Sequence, residues 1–209
     1  MGGGSDLNVV VVVTDLALPK LERGTQLMRA WEAQGNRPLL FFSPEWIEMS
    51  RDVFPIEFLD IIESHSVVLG PDPFAGLTVS RENLRLQCES ELKTRLIQLR
   101  TAYIQSHDDA DRLSALMAAN YAPVVALCRA ALRIAGAPVP LPGADVVQDA
   151  SIVCGFDAAP FVEVAAVKRS GPSAASIAIK PLFKQYYAQV ETLARAVDAG
   201  LPGAQGAKR

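Results

Sequence analysis

Apolar positions fall into two textures along the chain: short dense runs up to about Leu69, then recurrences every three or four residues beyond Ser80. Leu7 to Val13 is apolar but for Asn8, the pattern of a strand covered on both faces within a sheet. A helix is predicted from about Leu18 to Ala33, with Leu21, Leu27, Met28 and Trp31 on one side and Gly35-Asn36 closing it. Pro38 to Phe42 reads as a second strand. Ser43-Pro44-Glu45 predicts a helix start, with serine as cap, proline in the first turn and an acid near the positive end. Pro55 to Ile62 and His65 to Leu69 are predicted as two further strands, and Gly70-Pro71-Asp72-Pro73 as a turn-rich hinge.

The second half opens with Ser80 as a cap. Leu84, Cys88, Leu92, Leu96, Leu99 and Tyr103 then follow at helical spacing, with Arg85–Glu89, Glu89–Lys93 and Glu91–Arg95 four apart on the wet face. A helix from about Asp109 to Ala135 is apolar around most of its circumference, which suits the centre of a bundle, and Pro123 should kink it. Shorter helices are predicted over Asp145 to Cys154 and Ala159 to Arg169, and a long last one from about Ala174 to Ala199, stopped by Gly200 and Pro202. The expected architecture is α/β (α+β): a small mixed sheet with flanking helices over residues 1–75, an all-helical bundle over 80–200, and a disordered tail over 201–209.

Composition narrows the function classes. Half of the 209 residues are hydrophobic and 21% are charged, which excludes a disordered chain. A net charge of −3 argues against coating DNA or an anionic membrane, since both need a dense Lys/Arg face. Cys88, Cys128 and Cys154 are widely spaced and odd in number, neither a disulfide framework nor a zinc pattern, and they suit a reducing compartment. No run reaches the roughly 18 uninterrupted apolar residues of a membrane span. The opening Met1-Gly2-Gly3-Gly4-Ser5-Asp6 lacks the basic and apolar stretches of a signal peptide. A soluble cytoplasmic protein is expected.

Two histidines and no paired cysteine motif argue against a histidine triad or a zinc site. The informative side chains are acidic. Asp6 and Asn8, two apart at the start of the first strand, share a face. Glu57 lies within the predicted strand Pro55 to Ile62. Oxygen donors converging from adjacent strands would hold Mg²⁺ through carboxylates and phosphate oxygens. The plainer alternative is that Asp6 caps the strand entry and Glu57 is simply exposed.

The run Ser5-Asp6-Leu7-Asn8-Val9-Val10-Val11-Val12 resembles the second half of the signature of polymerase-β-like nucleotidyltransferases, in which Gly-Ser in a turn precedes Ser-Asp-x-Asp and a hydrophobic strand. Residues 52–61 and 83–93 are similar to a group of bacterial nucleotidyltransferase-domain proteins of uncertain substrate. The resemblance covers about residues 5–105. It implies that Asp6 and Asn8 occupy the two metal-binding positions and Glu57 the third carboxylate, which helps deprotonate an attacking hydroxyl. Two Mg²⁺ ions would neutralise a nucleoside triphosphate, and Lys93 or Arg85 would reach its phosphates. A nucleotidyl group would pass to an unknown small-molecule or protein acceptor.

Two departures shape the expectation. Asn8 stands where the second Asp belongs, and an amide oxygen brings no charge and cannot act as a base. The Gly-Ser turn has no counterpart ahead of Ser5, so the chain reads as an N-terminally shortened version of that fold. The alternative function is a catalytically inactive module of the same fold that binds nucleotide or protein. An incomplete sheet edge favours a possible homodimer. Separately, the spacing of Arg100 and His107 is similar to the Arg…His pair of HEPN-type ribonuclease domains.

Overall fold

The computed structural model describes residues 8–107, 109–170 and 178–201. The chain divides into two compact units, Met1–Val79 and Ser80–Arg209. The bulk is helical, with one small sheet.

In the first unit, strand β1 (Val10–Val12) and strand β2 (Leu40–Phe42) pair in parallel, Val10 opposite Leu40 and Val12 opposite Phe42. The Leu40 N–H donates to the Val9 carbonyl (3.0 Å) and the Val13 N–H to the Phe42 carbonyl (2.8 Å). Parallel neighbours need a crossover. It is made by helix α1 (Leu18–Leu21), a 3₁₀ turn (Glu22–Gly24) and helix α2 (Thr25–Glu32). The single predicted helix is thus broken at Glu22–Gly24. The Trp31 indole N–H fixes the return by donating to the Arg37 carbonyl at 2.7 Å.

Helix α3 (Pro44–Ser50) starts where the sequence places it: the Ser43 hydroxyl accepts from the Trp46 N–H at 3.1 Å. Val10, Val12 and Phe42 pack on a core of Ile47, Phe58 and Phe74. The Phe42 and Trp46 rings stack at 4.5 Å.

Two predicted strands are corrected. Pro55 to Ile62 belongs to helix α4 (Pro55–Ser64). Glu57, Asp60 and Glu63 recur every three residues, a helical period, and Pro55 sits in the first turn, where its missing N–H costs nothing. His65 to Leu69 forms no strand either. Its Val68 and Leu69 are 96% and 94% exposed, so no sheet face takes them up. The sheet among the described residues is parallel and two-stranded rather than mixed.

The second unit contains helices α5 (Arg81–Gln105), α6 (Ala110–Ala135), α7 (Gly143–Cys154), α8 (Ala159–Ser170) and α9 (Ile179–Ala199). The stripe Leu84, Cys88, Leu92, Leu96 and Leu99 is buried as its spacing predicts. Helix α6 packs against α5, α7, α8 and α9 and is continuous across Pro123, which cannot donate to the carbonyl one turn earlier. By length and composition α6 is apolar enough to cross a membrane, and half of that stretch is buried inside the bundle. Tyr186 of α9 is fully buried, edge-on to Phe161 (5.1 Å), and its hydroxyl has no hydrogen-bond partner among the described residues. The predicted start of the last helix, 174–177, and the tail from 202 lie outside the described residues.

Helix ends follow side-chain chemistry. The Asp109 carboxylate accepts from the Asp111 and Arg112 N–H groups (2.9 and 3.1 Å), and Gly136 ends α6 in the left-handed region at φ 69°. Asp109→Ala is expected to lower unfolding free energy by about 0.5–2 kcal/mol, measured by urea denaturation.

Candidate functional site

Of the residues that the sequence singles out, Asp6 lies outside the described ones. Asn8 is exposed at the beginning of β1, and its amide oxygen accepts from the Arg37 guanidinium (Nη1) at 3.4 Å. Arg37 reaches it because β2 runs parallel to β1, which brings the start of both strands to one end of the sheet. A guanidinium beside an amide oxygen repels a second cation there.

Glu57 stands on the first turn of α4, exposed, rather than on a strand. The expected convergence of carboxylates from adjacent strands therefore has no basis at Glu57. Its acid instead faces the positive end of a helix, where it is stabilising. Among the described residues, no three His, Cys, Asp or Glu side chains come together as a metal-holding group. Of the three residues that the resemblance assigns to Mg²⁺, Asn8 is thus a neutral amide on β1's approach and Glu57 a helical carboxylate.

Arg85 and Lys93 lie on α5, within the second unit. Arg85 Nη1 pairs with Glu89 Oε2 at 2.8 Å, and Lys93 Nζ bonds both Glu89 and Asp198 Oδ1, the latter at 3.0 Å. The hydrogen bond to Glu89 raises the Lys93 pKa, and Lys93 in turn holds the Asp198 carboxyl below its usual range. Lys93 thus ties α5 to α9, and the charges assigned to phosphate are engaged by carboxylates.

The two remaining candidates are placed apart in role. Arg100 donates from Nε to the Tyr187 hydroxyl, and its Nη2 lies 3.6 Å from Glu191, both on α9. His107 follows the end of α5 at φ 50°, in the left-handed region. All three cysteines are free and buried, and burial pushes the Cys88 thiol up to about 12 and Cys154 up to about 11.

Two side chains that the sequence reading passed over matter here. Arg37 was hidden in the polar link ahead of β2. His65 was assigned to a strand, whereas its ring binds across the following turn to Asp72 at 3.0 Å; a histidine seven residues before an Asp in a Pro-Asp-Pro turn was the available signal. No family model, curated protein or solved structure matches this chain.

Glu57→Gln is expected to leave the fold intact and to change stability by less than about 1 kcal/mol, the size of an acid's interaction with a helix N-terminus. Thermal and urea unfolding of the variant checks this.

Proposed function

We propose that this chain is a nucleotide-binding module of the nucleotidyltransferase type that performs no transfer step of its own. The observation that carries the reading is the pairing of Asn8 with Arg37 at the head of β1. Where the resemblance calls for a second metal-binding acid, the chain offers a neutral amide and a permanent cation. A planar guanidinium suits phosphate oxygens directly, without a bridging metal. Glu57, exposed on a helix, supports the same reading, because a base for the acceptor hydroxyl would have to share the metal's site.

Isothermal titration of the chain with each nucleoside triphosphate, with and without Mg²⁺, tests this. The expected result is binding that does not require Mg²⁺ and weakens at least roughly tenfold in Arg37→Ala, the size of one charge-assisted contact. No pyrophosphate should be released. Pyrophosphate release that Glu57→Gln abolishes would overturn the proposal in favour of Mg²⁺-dependent nucleotidyl transfer to a hydroxyl acceptor. Absence of nucleotide binding would leave a protein-binding scaffold.

A further inference from the structure

The segment after α4 is closed on itself by one imidazole. His65 Nδ1 lies 2.9 Å from the Ile61 carbonyl oxygen, and Nε2 lies 3.0 Å from Asp72 Oδ1. A carbonyl oxygen can only accept. Asp72 Oδ1 already accepts from the Phe74 N–H at 2.9 Å, so it too faces His65 as an acceptor. Both ring nitrogens therefore meet acceptors, and only the doubly protonated imidazolium donates from both. Either neutral tautomer would turn a lone pair toward an oxygen and lose one of the two bonds.

The ring is also anchored sideways. It packs edge-on against Phe74 at 5.3 Å, and Phe74 belongs to the core formed with Ile47 and Phe58. The six residues between the two ends, Ser66 to Pro71, carry Val67, Val68 and Leu69, all exposed. Residues 66–71 are all exposed and join no strand among the described residues, so the closure rests on the two ends.

We propose that His65 is a cationic clasp, bridging the last turn of α4 to Asp72, and that its deprotonation releases the 66–71 loop, which makes this loop a pH-sensitive element of the fold. The charged groups on the elements that pack on the ring are all carboxylates: Glu57, Asp60 and Glu63 on α4, and Asp72 beyond the loop. Asp72, bonded to the ring, favours the cation. In keeping with this, the hydrogen bond to Asp72 raises the His65 pKa, outweighing the desolvation that lowers it, and the Phe74 N–H together with His65 holds Asp72 below its usual range. With the folded pKa raised, the clasp contributes fully below the ordinary histidine value of about 6.5. Its contribution is lost as pH rises through the folded-state pKa.

Side-chain ¹⁵N spectra of the full chain, with His65→Gln identifying the signals of the two histidines, test the protonation state. Expected are two protonated nitrogens on His65 at pH 6 and a titration midpoint above about 6.5, which falls in Asp72→Asn. Amide hydrogen exchange across 65–74, compared between the parent chain and His65→Gln at each pH, tests the loop. Exchange should be about tenfold slower in the parent at pH 6, one charge-assisted bond's worth, and the difference should vanish by pH 9. A neutral His65 at pH 6, a midpoint unmoved by Asp72→Asn, or an exchange difference independent of pH would overturn the proposal.

Discussion

The larger unit rests on the burial of α6 from several sides at once. A surface helix buries one stripe, but Val125, Leu127, Cys128, Ala130 and Ile134, which lie on different sides of α6, are all buried, and α5, α7, α8 and α9 each lie against it. The other helices can be ordinary amphipathic ones because α6 supplies apolar surface to each. Polar groups caught in that interior are bound within it where possible. The Asn120 amide donates back to the Leu116 carbonyl at 3.0 Å; at the surface, the Arg129 guanidinium donates to the Leu141 carbonyl at 2.9 Å, holding the link to α7.

The smaller unit solves a different problem. Two parallel strands of three residues cannot make a core by themselves. An aromatic cluster does it instead: Phe42 stacks on Trp46, and Phe58 stands edge-on to Phe42 and tilted to Phe74. The crossover then brings Arg37 and Asn8 to the head of the sheet. This is why the functional reading turns on a cation rather than on a cluster of acids.

Much of the helical unit was legible in the sequence. The stripe from Leu84 to Leu99 and the caps Ser80 and Asp109 define α5 and α6 almost to the residue, because a long helix repeats its signal over many turns. Gly136 and Gly155, both in the left-handed region, end α6 and α7, a signal the sequence reading did not use. The segment Pro55 to Ser64 misled because its apolar content is high enough for a buried strand, and periodicity over so few residues is ambiguous. His65 to Leu69 has strand-forming side chains, but strand propensity reports packing against neighbours, and the clasp at His65 gives the segment none. The candidate site was legible only at the level of residue types. Asn8 was recognised as a departure, whereas its Arg37 partner lies 29 positions away and only the parallel register brings it there.

Tyr186 has a consequence of its own. Sealing a phenol away from water without an acceptor is unfavourable, and the Tyr186 hydroxyl, with its ring edge-on to Phe161, has no hydrogen-bond partner among the described residues. A water molecule admitted there would supply the missing hydrogen bond, which offsets part of the cost of opening the bundle beside α9.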